Sequence, residues 1–448
     1  MSSKVGNGKT ASTGHHSKHR TGASTVPTRA RMVSPDIARG LMLLGIAIAN
    51  ITGVWLSPAG ESPGVSAAAG GITDGHLADR LAVLFGALFI HVRGIAMFST
   101  LLGYGVGLLA LSLWRRKYPL KAARGVLVRR YGLLALFGVV HMIFLFYGDI
   151  MTFYGLTGVI LALLIPLRDR TLLIIAGVLQ VLALLVMIPM ILFNSTLMMH
   201  GTGDLDTHTY GGLVLLGGLV LVGSLFTFPV EFIIVAPVII LGFVAARKGI
   251  LTDPETHLRA LWTAVGVAVT VIMLVGLPWG LSMAGWAPES WAPRLEAVNA
   301  VVGMLTGPGL VAAIVLVSRP LQHKVDAARV AGGEHRFNVC IRALLALGRR
   351  SMTGYVLQSL LCVVFLAPLG FQLAVRGSAL TGTLAGCAVW FFTVLIAVLL
   401  DIRGLPGPLE WAHRRLAYGK DGLSDTWEPA IMGDTEMGKT DISPEGTS

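Results

Sequence analysis

This sequence is short of charge. Aspartate, glutamate, lysine and arginine make up 13% of its 448 residues, about half the share usual in soluble domains. A chain so short of charge cannot cover a folded surface with solvated groups, so a water-soluble globule is excluded. Cysteine is scarcer still. Cys340, Cys362 and Cys387 lie in or beside apolar segments with no CxxC or paired spacing, so neither a disulfide framework nor a thiolate metal site is expected. Soluble-enzyme signatures are missing too: no P-loop, no HExxH, and no serine, histidine and aspartate in a hydrolase order. The run GYGVG at 103–107 follows no strand and reads as a small-residue helix face for close packing.

What remains is apolar. Hydrophobic residues make up 54% of the chain and its mean hydropathy is +0.73. Mostly apolar stretches recur at 37–56, 94–114, 131–147, 150–167, 171–193, 227–246, 260–282, 297–317, 351–369 and 380–400. Each approaches or exceeds the length a helix needs to cross roughly 30 Å of hydrocarbon. The runs do not alternate polar and apolar, which excludes barrel strands. The expected fold is an all-α, polytopic bundle of about ten transmembrane helices in contact with the bilayer. Segment 211–224, GGLVLLGGLVLVGS, is short enough to read as re-entrant or interfacial, and 81–90 resembles it. Residues 1–34 are basic and Ser/Thr/Gly-rich; with His15, His16 and His19 they read as a disordered cytoplasmic tail. Residues 35–419 form the membrane domain, and 420–448 a second disordered cytoplasmic tail.

The net charge of +11 could suggest nucleic acid, but its distribution points elsewhere. Basic residues crowd alternate loops: 115–130, 247–259 and 319–350. The loops between them hold Glu61, Asp74, Asp79, Asp204, Asp206, Glu289 and Glu296 against few basic residues. Such alternation fixes orientation in a membrane, basic side inward. It places both termini in the cytoplasm of a multi-pass cell-membrane protein, and no nucleic-acid partner is expected.

Ionisable groups within apolar spans are functional candidates by default. Asp36 and Arg39 at the inner end of the first span are three apart and can pair on one helix face. Asn50 lies about 9 Å below the outer end of that span, near the depth expected of His141 in the third. Arg93 and Glu231, at outer ends, could join His141 around an external cavity. Tyr154 and Gln358 are further polar positions within spans. Asp149 follows Gly148 in a very short external hairpin. In a continuous helix it would stand about 12 Å from His141 along the axis, so a direct pair needs a helix break, and the partner that orients His141 is sought on another helix.

These positions fall into order. SPDIARGLMLLGIAIANI at 34–51, FSTLLGYGVG at 98–107 and RRYGLLALFGVVHMIFLFYGDIMTFYGLTG at 129–158 resemble the YeiB-like bacterial membrane proteins, domain-of-unknown-function family 418. So do LGFVAARKGIL at 241–251, LGRRSMTGYVLQSLL at 347–361 and GPLEWAHRRLAYG at 407–419. That family is similar, mainly in its first span, to the transmembrane acyltransferases that include heparan-alpha-glucosaminide N-acetyltransferase. The resemblance implies a central cavity and transfer of an acyl group from cytoplasmic acyl-coenzyme A, with no permanently bound cofactor, to an envelope sugar or lipid. Those enzymes carry their histidine in the loop after the first span, where this chain offers His76.

On this expectation Arg39, Arg129 and Arg130 hold coenzyme A phosphates, Asn50 donates to the thioester carbonyl, and His141 takes a proton from the acceptor. Asp149 shapes the outer mouth. The rival expectation is a transporter whose path runs through His141, Asp149, Arg93 and Glu231.

Overall fold

A computed structural model describes residues 32–56, 70–72, 76–192, 209–367, 370–371 and 377–427. The two terminal segments beyond these, with His15, His16 and His19, lie outside the described residues, as do Glu61, Asp74, Asp204 and Asp206. Among the described residues the chain is all helical, without a strand.

The helices are α1 (Ser34–Asn50), α2 (Leu77–Phe85), α3 (Arg93–Arg115), α4 (Leu120–Phe144), α5 (Met151–Leu163), α6 (Asp169–Leu192) and α7 (Tyr210–Arg247). There follow α8 (Leu258–Val271), α9 (Leu277–Met283), α10 (Ala292–Val302), α11 (Thr306–Val330), α12 (Val339–Arg349), α13 (Ser351–Phe365), α14 (Ala379–Ile402) and α15 (Pro408–Tyr418). Eight helical stretches are long and apolar enough to cross a membrane, and α5 and α13 are shorter apolar helices. Together these correspond to the ten expected spans.

Two readings of the second half-spans change. Residues 211–224 are no re-entrant piece: they are the start of α7, one helix of 38 residues, about 57 Å long at the usual rise. Residues 81–90 belong to α2 and a π-helical turn, Gly86–Ile90, that runs into α3 through a bend at His91 and Val92. The C-terminal segment is also held beyond α15. Arg116 Nη1 donates to the Leu423 carbonyl at 3.0 Å, and Trp427 N–H donates to the Arg116 carbonyl at 2.9 Å.

The basic loops collect at one end of the bundle, where the structure neutralises part of their charge. Arg247 pairs with Asp169 at 3.0 Å, Arg350 with Asp401 at 3.2 Å, and Arg349 with Asp36 at 3.8 Å. The Asp36 and Arg39 pairing expected from spacing is present at 3.5 Å. At the other end Asp79 Oδ1 accepts the Leu380 N–H at 3.1 Å, and Arg80 donates to the Ala284 carbonyl at 2.7 Å. The glycine face at 103–107 packs as expected. A Cβ at Gly103 would overlap the Ile239 carbonyl, and one at Gly107 would meet the Ala246 methyl at 2.6 Å, so only glycine lets α3 and α7 approach this closely.

Candidate functional site

The third span ends early, and the early end makes the site. Helix α4 stops at Phe144, three residues past His141, and the chain turns back through Tyr147, Gly148 and Asp149 into α5. The break brings Asp149 to His141: Nδ1 and Oδ1 are 2.8 Å apart, with 2% and 0% of the two side chains exposed. Asp149 also starts α5. Its Oδ2 accepts the Thr152 N–H at 2.8 Å and the Thr152 hydroxyl at 2.9 Å, as a helix-capping carboxylate does. The hairpin can lie this close because α4 carries Gly138 one turn before His141. A Cβ there would overlap the Thr152 amide and come within 2.7 Å of Asp149 Oδ2.

The other face of the imidazole meets α13. Ser359 Oγ is 2.9 Å from His141 Nε2, both residues being 3% exposed. A carboxylate accepts but cannot donate, so Asp149 fixes the proton on Nδ1 and leaves Nε2 as the acceptor. The Ser359 hydroxyl therefore donates to Nε2. Hydroxyl, imidazole and carboxylate stand in hydrogen-bonded series, the same order of groups as in the serine triads of unrelated folds. Aromatic rings close round it. Tyr355 lies 5.1 Å and Phe146 6.3 Å from the imidazole, and Phe146 stacks on Trp55 at 5.4 Å.

Helix α15 steadies both helices that carry these groups. Glu410 Oε1 accepts the amides of Met352 and Thr353 at 2.7 and 3.0 Å, and Oε2 accepts the Thr353 hydroxyl at 2.5 Å, capping the start of α13. His413 Nε2 donates to the Arg130 carbonyl of α4 at 2.8 Å. Burial, with Arg130 nearby, holds His413 below the ordinary histidine pKa.

The remaining candidates disperse. Gln358 Nε2 donates to the Leu43 carbonyl at 3.1 Å, so the level of α1 beside Ser359 is Leu43. Asn50 is seven residues further on, about 10 Å along the axis, and no hydrogen bond among the described residues joins it to His141. Tyr154 bonds Ser99 at 3.0 Å and the Ile95 carbonyl at 3.2 Å, fastening α5 to α3. Arg93 and Glu231 do not reach His141. Arg93 binds Asn299 at 2.7 Å, and Glu231, well inside α7, accepts the Thr227 hydroxyl at 2.7 Å. Arg130 donates to the Tyr418 hydroxyl at 2.5 Å, Arg129 is exposed, and His76 is an exposed residue at the start of α2. A small cleft of about 50 Å³ opens at the basic end beside Met32, Glu255 and Arg319, apart from His141. Among the described residues no cluster of three or more His, Cys, Asp or Glu is placed to hold a metal ion.

Sequence reasoning named His141 and Asp149 but missed Ser359. The signal was within reach: Ser359 closes the VLQS run of a motif already singled out, beside Gln358.

The resemblance drawn from the six motifs holds. Residues 245–420 match the family described as "Protein of unknown function (DUF418)". The chain is 24% identical over 437 residues to a Bacillus subtilis (strain 168) protein described as "Uncharacterized protein YxaH", covering 90% of this chain and 96% of that one. It is 25% identical over 429 residues to "Uncharacterized protein YeiB" of Escherichia coli (strain K12), covering 88% and 97%. No solved structure matches significantly. The chain is similar to both of these proteins over most of its length, and Ser359 and the Glu410 cap lie inside the residues that match the family.

Proposed function

We propose that this YeiB-like membrane chain is an acyltransferase in which Ser359 carries the acyl group from a donor at the basic end to an acceptor at the other. The hydrogen-bonded series Ser359, His141 and Asp149 carries this reading. In the first step His141 Nε2 takes the Ser359 proton as Oγ attacks the thioester carbonyl. The carbon to sulfur bond breaks, and the thiolate leaves with the proton that His141 returns. In the second step an acceptor hydroxyl or amine loses its proton to His141 as it attacks the serine ester; the bond from the acyl carbon to Oγ breaks, and His141 returns that proton to Oγ. Asp149 stabilises the imidazolium formed in each step.

Position supports this division. Ser359 lies nine residues beyond Arg350, about 14 Å from the basic end, a depth that the extended pantetheine arm of acyl-coenzyme A spans. Arg39 and Arg129 would hold its phosphates, and the alternation of basic loops supports a cytoplasmic location for that end and for both termini in a cell membrane. The acceptor, an envelope sugar or lipid, would then approach past the short hairpin, three residues from His141. A transport path through His141, Asp149, Arg93 and Glu231 is less well supported, because the last two are bonded elsewhere.

The test is direct. Purified protein given acyl-labelled coenzyme A should retain label on the peptide containing Ser359, and Ser359→Ala should abolish it. Label absent from the wild-type protein, or unchanged in Ser359→Ala, refutes the reading.

A further inference from the structure

A second buried polar cluster lies apart from this one, toward the end opposite the basic loops. Arg93, the first residue of α3, is 1% exposed and forms no ion pair with a carboxylate among the described residues. A guanidinium carries five N–H donors and no acceptor. Its one short bond is to Asn299 Oδ1 at 2.7 Å, and its approaches to the Ala87 and Leu88 carbonyls are 3.4 Å long. Capping those carbonyls at the end of a π-helical turn accounts for part of the placement. It leaves the charge unbalanced, and an unbalanced charge inside a membrane bundle costs several kcal/mol.

The neighbours add to the imbalance. Because Arg93 can only donate, Asn299 must turn its oxygen toward it, which leaves the Asn299 Nδ2 as a donor. That atom is buried without a partner, and so is the indole Nε1 of Trp279; the two residues are 1% and 3% exposed. Trp279 stands one turn beyond Gly276, whose Cβ position lies 2.6 Å from Arg93 Nη2. The His91 ring packs edge-on to Trp279 at 5.9 Å. The cation and the two orphan donors thus lie on neighbouring elements, and an acceptor-rich anion held among them would satisfy all three.

The backbone is unusual at the same spot. Two π-helical turns, Gly86–Ile90 and Ile272–Gly276, converge on Arg93, and such turns concentrate at functional sites. Between the first of them and α3, Val92 has φ +68°, a left-handed conformation that a β-branched residue adopts only under constraint.

We propose that Arg93, Asn299 and Trp279 form a binding site for an oxyanion, a carboxylate or a phosphate, independent of the Ser359 chemistry. The anion neutralises the guanidinium and accepts from the Asn299 amide and the Trp279 indole. Its source is either a free anion or the headgroup of an anionic lipid.

The experiment uses the full chain in detergent. Sodium phosphate, sodium acetate and sodium chloride are titrated at matched ionic strength, with thermal unfolding and tryptophan emission as readouts. A saturable rise in Tm with phosphate or acetate that exceeds the response to chloride is expected. Trp279→Phe keeps the ring and removes only the N–H, and should raise the apparent Kd about tenfold or more. Asn299→Asp supplies a resident carboxylate, and should raise the Tm of the anion-free protein while abolishing its response. Reconstitution in zwitterionic and in phosphatidylglycerol nanodiscs separates the sources: stabilisation by the anionic lipid alone assigns a headgroup. Equal responses to all three salts, a response unchanged in Trp279→Phe and Asn299→Asp, or no saturable response to any anion or anionic lipid, would overturn the proposal.

Discussion

Replacing Asp149 by asparagine separates a catalytic role from a structural one. The asparagine oxygen can keep the place of Oδ2 and accept from the Thr152 amide and hydroxyl, now at 2.8 and 2.9 Å. Its Nδ2 then faces His141 Nδ1, where Oδ1 stood at 2.8 Å. Two donors cannot face each other, so the imidazole proton moves to Nε2 and points at Ser359. The base is gone although every side chain keeps its place. Such tautomer reversal costs a triad about 10⁴ in rate, a rise of roughly 5.5 kcal/mol in the barrier. The fold loses less. One charge-assisted hydrogen bond becomes a neutral one, worth about 1 kcal/mol. Acyl transfer from labelled acyl-coenzyme A and the Tm, measured on the same preparation, should therefore part company: transfer nearly abolished, Tm lowered modestly. The double variant with Ser359→Ala should be no slower than Ser359→Ala alone, since members of one catalytic unit do not add. Transfer within tenfold of the wild type in Asp149→Asn would refute the assignment and leave the cluster as a buried polar tie between α4, α5 and α13.

Three further outcomes follow from the same contacts. Glu410→Ala removes the cap on α13 and should cost about 1–2 kcal/mol, seen as roughly 5- to 30-fold faster opening of the 352–354 amides by hydrogen exchange; unchanged exchange there counts against the cap. His413 holds its pKa below the ordinary value, so below about pH 6.5 the unfolded chain takes up a proton that the folded chain refuses. Stability should fall as pH drops through that range, and His413→Gln, which can still donate to the Arg130 carbonyl, should flatten the Tm profile between pH 7.5 and 5.5. Gly138→Ala drives a methyl into the Thr152 amide; overpacking of this kind costs about 1–3 kcal/mol, and both Tm and acyl transfer should drop.

Much of the fold was legible because a bilayer simplifies the problem. Apolar length alone located ten helices, and the glycine face at 103–107 and the pairing of Asp36 with Arg39 followed from helix spacing. Segment 211–224 was misread because its glycines and serine look like punctuation, whereas in hydrocarbon the backbone keeps its own hydrogen bonds and α7 runs on through them. Arg93 and Glu231 were grouped with His141 by depth, but depth does not fix rotation about a helix axis, and each faces a different neighbour. Ser359 was invisible to spacing because its partners lie 218 and 210 residues away; only the packing of α13 against α4 brings them together.

The 2.8 Å separation of His141 and Asp149 shows why a helix end belongs in the middle of this site. Within hydrocarbon a carboxylate needs donors, and a continuous helix offers none, since its amides are already bonded to carbonyls four residues back. The first turn of a helix is the exception: its amides are unbonded and its dipole is positive. Asp149 stands at that point of α5, where the Thr152 amide meets one oxygen and the other is left to His141. The break after Phe144 and the buried histidine are one device. Remove the hairpin and the carboxylate loses its donors; remove the carboxylate and neither imidazole nitrogen has a reason to carry the proton. A polar cluster serving only to join α4 to α5 would be complete with the Thr152 bonds. The further bonds through His141 to a serine on a third helix exceed that need, and this excess is the physical ground for assigning chemistry to it.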